Sequence, residues 1–153
     1  MIAALALALA GSAAPAEPEA YRGSYRYTGG DAEARARHDA IDAVVQQMPK
    51  LFRPFAFKRI DKATTPDERV VIEVADGQIT IGDAPGEGLT TPLGDDGVVK
   101  EGDGGADQKV TRVVVDGGIR HRAEQHNGFG QDHYRLAADG QTLTVTVTVG
   151  SDQ

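Results

Sequence analysis

The fold of this chain is decided by residues 69–82, which read RVVIEVADGQITIG. Apolar residues stand at every second position on both sides of the pair Asp76-Gly77. They are Val70, Ile72, Val74, Ile79 and Ile81. Alternation with period two places them on one face of a strand, and Asp-Gly supplies the positive φ angles that a type I′ turn requires. The segment therefore predicts a β-hairpin with one apolar face.

Short strands and turns continue from this hairpin towards the C-terminus. Gly- and Asp-rich turns separate further strand-like stretches at residues 89–93, 98–101, 109–115, 119–125, 132–136 and 142–149. The last stretch alternates Leu or Val with Thr, which is typical of a sheet with one buried and one wet face. Residues 126–131 contain three glycine or asparagine positions and are predicted as a turn. We expect residues 69–149 to form an antiparallel up-and-down meander.

An aromatic strand precedes the hairpin. Tyr21, Tyr25 and Tyr27 alternate with Arg and Ser, and this pattern predicts a first strand. Gly29-Gly30 ends it, and Asp31 is then placed to act as a helix N-cap.

Two helices are predicted between this strand and the hairpin. One apolar stripe runs along them with spacings of three and four residues, which is the helical period. Its members are Ala34, His38, Ile41, Val45, Met48, Phe52 and Phe55. Pro49 lacks an amide donor and must interrupt the helix, so we predict two segments, residues 31–48 and 50–62. His38 is expected to pack or to pair with Asp42, one turn further on.

The chain is therefore predicted to be mainly β with α. We expect about eight or nine short strands, in a barrel or a strongly curved sheet, with a helical insertion at residues 31–62 after the first strand. A length of 153 residues suits one domain, and 19 glycines with 5% aromatic residues favour many short strands. The net charge of −7 repels phosphate backbones, which argues against nucleic acid as the principal partner.

The N-terminus resembles an export signal. Residues 2–10 are an unbroken apolar run, and Ala14-Pro15-Ala16 offers a cleavage site of the A-x-A type. We predict a signal peptide at residues 1–16 and a single β-rich domain at residues 17–153, located in a periplasm or secreted. The chain contains no cysteine, so the exported domain would have no disulfide and would depend on its core for stability. Frequent Arg, Ala and Gly indicate a high-GC bacterial source.

The order of elements resembles the calycins, the group that includes lipocalins and fatty-acid-binding proteins. Gly23-Ser24-Tyr25 lies where that group has a Gly-x-aromatic turn into its first strand, and the helical pair follows as in fatty-acid-binding proteins. The resemblance implies a small barrel that binds an apolar or amphipathic ligand. The competing interpretation is an open sheet that grips the helix, as in cystatin-like or steroidogenic-transfer-like α+β folds.

An aromatic and basic cluster lies in the second helical segment. Three of the four phenylalanines are interleaved with basic residues there, although the chain as a whole is acidic. They are Phe52, Phe55 and Phe57, with the basic surface residues Arg53, Lys58 and Arg59. One hypothesis is a lid over a cavity mouth that contacts either an anionic membrane or an acidic ligand. In the alternative, the rings plug the end of the sheet while the cationic groups reach water.

The strand at residues 119–125 carries polar side chains on both faces. If Ile119 marks the interior, then His121 and Gln125 lie inside, where they could orient a ligand together with Tyr25. In the opposite register, Arg120 and Arg122 would line the cavity and could hold a carboxylate. A plain twisted edge strand is the third interpretation.

No catalytic or metal motif stands out. The four histidines lack a zinc spacing such as H-E-x-x-H, and the loop aspartates do not match an EF-hand, so we predict no catalytic residue, metal site or cofactor. The leading functional hypothesis is an exported, non-enzymatic binding protein for a small apolar or amphipathic ligand. The alternatives are an envelope interaction or structural module, and a cystatin-like enzyme using His38, Asp42 and Tyr25.

Overall fold

A computed structural model of the chain describes residues 2–4, 17–102, 105–115, 117–126 and 128–150. The described fold is mainly β, with two α-helices. Its elements are β1 (Ile2–Ala4), a 3₁₀ turn (Pro18–Tyr21), β2 (Gly23–Arg26), α1 (Asp31–Val45), α2 (Arg53–Thr64), β3 (Arg69–Ala75), β4 (Gln78–Gly82), β5 (Leu89–Pro92), β6 (Gly94–Glu101), β7 (Asp107–Val115), β8 (Gly118–Gln125), β9 (Gly128–Leu136) and β10 (Leu143–Gly150).

The hairpin at residues 69–82 forms as predicted. Ala75 of β3 lies opposite Gln78 of β4, which leaves a two-residue turn. Asp76 and Gly77 have φ angles of 53° and 73°, the two successive positive values of a type I′ turn. Because this turn twists with the strands, it fixes the register of the hairpin.

The strands form two antiparallel sheets. The smaller sheet has the order β2-β3-β4-β5, and the larger has the order β1-β10-β9-β8-β7-β6. Five consecutive strands, from Gly94 to Gly150, make up the body of the larger sheet, and β1 pairs with the outer edge of β10. The helical pair follows β2, as predicted.

The expected single curved sheet is divided at the junction of β5 and β6. Gly94 has a φ of 143°, and the pairing of β6 with β7 shifts register between Gly94 and Val98. A bulge bends a strand and ends regular pairing, so the chain turns from one sheet into the other here. One isolated bridge, from Leu93 to Arg112, crosses the junction, and no ladder closes the two sheets into a barrel within the described residues.

The core lies between the two sheets. Its buried members come from the 3₁₀ turn, from β3 and β4, and from β8 and β9. They are Tyr21, Ile72, Val74, Ile79, Ile119, Tyr134 and Leu136. Each inward position follows the alternation of its strand, so the apolar faces predicted for the hairpin and the later strands meet here.

The helices are shorter than predicted. The N-cap of α1 is Gly30 rather than Asp31, and α1 ends at Val45. The second helix begins at Arg53, three residues after the predicted start, and Pro54 fits its first turn because those amides need no helical acceptor. The intervening residues form turns, since neither Pro49 nor Pro54 can continue a helix from upstream.

The predicted apolar stripe is only partly buried. Ile41 and Val45 are buried, whereas Phe52 and Phe55 are exposed. His38 does not pair with Asp42: its Nε2 lies 3.3 Å from Oδ1 of Asp61 on α2. Tertiary packing of α2 against α1 brings Asp61 within reach, which one-helix spacing could not show.

Strand β9 begins earlier than expected. Residues 128–131 were predicted as part of a turn but belong to the strand, where Gly130 pairs with Ala123 on one side and Val149 on the other. Pairing on both sides stabilises an extended backbone that the local turn propensity disfavours.

The predicted signal peptide lies largely outside the described residues. Residues 2–4 form β1 on β10, whereas the predicted cleavage site at residues 14–16 is not among the described residues. Across the described part of the chain, no helix combines the length and apolar character needed to cross a membrane.

Candidate functional site

Three polar residues form a row across the inner face of the larger sheet. Arg112 of β7 is the cross-strand partner of His121 on β8, and His121 is the partner of Asp132 on β9. Cross-strand partners point to the same face. Ile119, two residues before His121, is fully buried in the core, so this face is the inner one.

Arg112 connects the two sheets. Its guanidinium is almost completely buried, with 2% exposure. On its own sheet, Nε donates to Nδ1 of His121 over 2.9 Å. Nη1 donates to main-chain oxygens of the smaller sheet, at 3.0 Å to Ile79 and 2.5 Å to Leu89. The side chain therefore supplies hydrogen bonds at the junction where no ladder joins the sheets.

The positive charge of Arg112 has no acidic partner in contact with it within the described residues. Ion pairs in that part of the chain join Arg37 to Asp61 and Arg122 to Glu124, and neither involves Arg112. Burial lowers the pKa of Arg112 to about 10, although Tyr134 and Asp132 oppose this change from a distance. The guanidinium still carries its charge at neutral pH, and buried charges in proteins are normally paired.

His121 is neutral and acts as an acceptor. Burial, the charge of Arg112 and that of Lys100 lower the pKa of His121 to about 4. Since Nδ1 accepts the hydrogen bond from Arg112, the neutral ring carries its proton on Nε2. His121 therefore orients Arg112 and leaves an N–H donor on its other nitrogen.

Asp132 has a raised proton affinity. Burial raises the pKa of Asp132 to about 6, against the effect of a hydrogen bond from Tyr134, and the carboxylate of Asp67 raises it further. The hydroxyl of Tyr134 donates to Oδ2 of Asp132 over 3.4 Å. Burial and the charge of Asp132 raise the pKa of Tyr134, so this phenol remains a donor. The carboxyl is poised to change its charge near pH 6.

Two further polar groups on this interior have unused hydrogen-bonding capacity. The hydroxyls of Tyr21 and Thr91 are buried and have no hydrogen-bond partner in the described part of the chain. Thr91 is the cross-strand partner of Ile79, whose carbonyl accepts from Arg112. An unsatisfied buried hydroxyl costs about 1–3 kcal/mol, so a hydrogen-bonding partner at either hydroxyl would stabilise the fold.

The row approaches an open side of the interior at β10. Val145 is the cross-strand partner of Tyr134, and Val147 is the partner of Asp132. Val145 keeps 38% of its surface exposed although it points to the inner face. The smaller sheet therefore leaves this end of the larger sheet uncovered.

The structure brings one of the predicted ligand contacts into the row and separates the others. His121 is a member, and Tyr25 packs against the core, with its hydroxyl donating to the carbonyl of Tyr21 over 2.9 Å. Gln125 is the last residue of β8, beside Gly102 and away from the row. Phe57 lies edge-on against His38, with ring centroids 5.6 Å apart.

Two of the three phenylalanines of the predicted lid, Phe52 and Phe55, are exposed and therefore do not plug the end of the sheet. The helix α2 itself contacts β10. Arg53 holds the turn between the helices, since its guanidinium donates to Met48 and Gln46. Lys58 and Arg59 lie on the exposed surface of α2.

The two arginines of β8, Arg120 and Arg122, face away from the core. Arg122 lies over the ring of Phe129, 3.8 Å from its centroid, and its Nε donates to Glu124 over 2.6 Å. The register with Arg120 and Arg122 in the interior between the sheets is therefore wrong. The interior arginine comes from β7 instead.

Sequence reasoning missed Arg112, Asp132 and Tyr134. A signal for Arg112 was present, because a charge at this position stands two residues from Val110 and Val114 on the same face of a predicted strand. A charged residue on an apolar face indicates a buried polar contact. Asp132 and Tyr134 are also two residues apart and share one face of a strand. Only the pairing of β8 with β9 shows that this face points inward.

A concave surface lies on the outer face of the smaller sheet, away from the row of Arg112, His121 and Asp132. It is an open groove of about 790 Å³ between the loop that contains Pro85 and strands β2 to β4. Buried Val71 lies within it, and Glu73 and Thr80 contribute polar groups. Among the described residues, no group of three or more His, Asp or Glu side chains is arranged to hold a metal ion.

Comparisons of the chain with protein-family models, with characterised proteins and with solved structures give no match.

Proposed function

We propose that this chain is an exported, non-enzymatic binding protein that holds a small amphipathic ligand with an acidic head group between its two sheets. The observation that best supports this proposal is that the buried guanidinium of Arg112 contacts no carboxylate of the described residues. A ligand carboxylate beside Arg112 would supply the missing negative charge, and a planar guanidinium suits that partner.

The surroundings of Arg112 suit the rest of such a ligand. The unpartnered hydroxyls of Tyr21 and Thr91 can donate to a head group, as can Nε2–H of His121. The neighbouring core is aliphatic and aromatic, and the exposed side chain of Val145 marks an apolar route to solvent. Ligand sites combine apolar walls with a few convergent polar groups in this way.

The proposal keeps the resemblance to calycins as its fold hypothesis. A meander with a helical pair after its first strand is the arrangement that suggested a small barrel. In this chain the sheets are joined by Arg112 at one side, and ligand binding would draw them together at the other. We infer from the apolar leader that the protein acts in the periplasm or outside the cell.

Head-group selectivity tests the proposed function. The full chain is produced in a bacterium, and native mass spectrometry of the exported material reports the mature mass and any bound ligand. Decanoate, decanol and decyltrimethylammonium are then compared by thermal shift and calorimetry. Decanoate should bind at least about tenfold more tightly than either comparator, because only its head group pairs with Arg112.

Two variants locate the binding. Arg112→Met should abolish the preference for decanoate, whereas Arg120→Met, on the opposite face of the larger sheet, should preserve it. If Arg112→Met does not fold, the affinities of the unsubstituted chain for the three compounds still test the proposed preference for an acidic head group. Equal affinity for decanoate and decanol, or no uptake of either, would contradict the proposal.

A further inference from the structure

The turn between the two helices and the first turn of α2 present an exposed apolar apex. Leu51, Phe52 and Phe55 keep 76%, 58% and 76% of their surface exposed, respectively. We call these three residues the apolar apex. Large apolar side chains are usually buried when a protein folds. A group of them left exposed on a charged protein therefore indicates a contact surface.

Exposed basic residues flank the apolar apex along the chain. Lys50 precedes it, and Lys58 and Arg59 follow on α2; all three are exposed. None of them forms a hydrogen bond or an ion pair within the described residues. The acidic residue of α2, Asp61, is held by Arg37 of α1, with 2.6 Å between Nη1 and Oδ1. The surface around the apex is therefore cationic in a chain whose net charge is −7.

The apex is held in place by polar contacts below it. Arg53 points back towards α1 and donates to the carbonyl of Met48 over 3.0 Å and to the side chain of Gln46 over 2.6 Å. The contacts of Asp61 and of Phe57 with His38 fix α2 against α1. The exposed rings therefore belong to a braced turn, which lowers the entropy lost when the apex binds a surface.

We propose that the apolar apex and its flanking cations Lys50, Lys58 and Arg59 dock the protein onto an anionic lipid bilayer. Aromatic and aliphatic side chains enter the region between head groups and acyl chains, and the three cations pair with lipid phosphates at the same depth. A bilayer fits this arrangement better than a protein partner does, because exposed apolar side chains flanked by exposed cations match both the acyl region and the anionic head groups. This inference is independent of the interior ligand site.

Vesicle sedimentation tests the docking. The full chain is mixed with phosphatidylcholine vesicles that contain either no anionic lipid or about 30% phosphatidylglycerol. Binding to the anionic vesicles should be at least about tenfold tighter and should weaken as salt is raised. The double variant Phe52→Ser/Phe55→Ser should lose at least about tenfold in binding, since the lost burial is apolar.

Matched surface variants separate the apex from general charge. Lys58→Gln and Arg59→Gln should each weaken binding about fivefold, whereas Lys109→Gln and Arg69→Gln, which remove exposed cations elsewhere, should have little effect. Val99→Ser is the apolar control, because Val99 is an exposed residue of β6. Equal binding by wild type and the double variant, or no preference for anionic vesicles, would overturn the proposal. Self-association that needs Phe52 and Phe55, without vesicle binding, would also overturn it and assign the apex to a protein interface.

Discussion

Arg112 combines a structural and a binding role in one side chain. Its hydrogen bonds to Ile79 and Leu89 cross between the sheets, and its bond to His121 lies along the larger sheet. Burying a guanidinium is costly unless its donors are used, so the three acceptors offset most of this cost. Loss of the side chain would leave the two main-chain oxygens without their donors.

Substitutions of Arg112 should separate charge from geometry. Arg112→Met should lower the free energy of unfolding by about 3 kcal/mol, since three hydrogen bonds disappear from a buried site. Arg112→Lys should lower the free energy of unfolding less than Arg112→Met does, because an ammonium keeps the charge and some of the hydrogen bonds. It cannot reproduce all the donors of the planar guanidinium, so some stability is still lost. Urea unfolding measures both, with Arg120→Met as a control that should change stability by less than about 0.5 kcal/mol. A stability of Arg112→Met equal to that of wild type would show that Arg112 does not join the sheets.

Two titrating residues of the row have opposite effects on stability. The pKa of Asp132 is raised to about 6 in the folded protein, against 3.8 in the unfolded chain. Its contribution to the free energy of unfolding is therefore complete below pH 3.8 and is lost as pH rises through 6. The pKa of His121 is lowered to about 4 in the folded protein, against 6.5 in the unfolded chain. Its contribution to the free energy of unfolding is therefore complete above pH 6.5 and is lost as pH falls through 4. In the wild type these two slopes largely cancel between pH 4 and pH 6.

Removing either residue should reveal the slope of the other. The variant His121→Asn keeps an acceptor for Arg112 and should gain about 2 kcal/mol of stability between pH 7 and pH 4, from Asp132 alone. Asp132→Asn should instead lose about 2 kcal/mol over the same range, from His121 alone. Chemical unfolding at several pH values measures both slopes, and Asp107→Asn, at the exposed start of β7, should leave the wild-type profile unchanged. Parallel slopes in the two variants would contradict the assignment.

At the scale of elements, turn chemistry explains which predictions were accurate. The β3–β4 hairpin is confirmed, because Asp76-Gly77 specifies its turn without help from the rest of the chain. The break between the helices is confirmed for a similar reason, since proline acts on its own turn. The start of β9 was wrong, because Gly130 is extended only through its pairing with two neighbouring strands.

The hairpin turn should be sensitive to a single methyl group. Gly77 has a φ of 73°, where a side chain is strained, so Gly77→Ala should destabilise the fold by about 1 kcal/mol. Asp76→Asn should cost less, because Asn also tolerates positive φ angles. Thermal unfolding compares the two. A cost for Gly77→Ala no larger than that for Asp76→Asn would mean that another turn type is accessible.

At the scale of the whole molecule, nine of the ten described strands and their antiparallel direction followed from the sequence, whereas strand β1 and the division into two sheets did not. Alternation and turn residues are local, and they predicted a β-rich meander with a helical pair after its first strand. The division depends on contacts between distant residues, such as the bridge from Leu93 to Arg112. The site was missed for the same reason: Arg112, Asp132 and Tyr134 acquire meaning only when three strands align.

The pairing of β1 with β10 has a consequence for handling and secretion. If residues 1–16 are removed on export, as proposed, β10 becomes the edge of the larger sheet. Its sequence LTVTVTVG carries no charge and no proline, and such edges readily recruit the strand of another molecule. Without β1, the protein would be most soluble when dilute or when another surface covers β10.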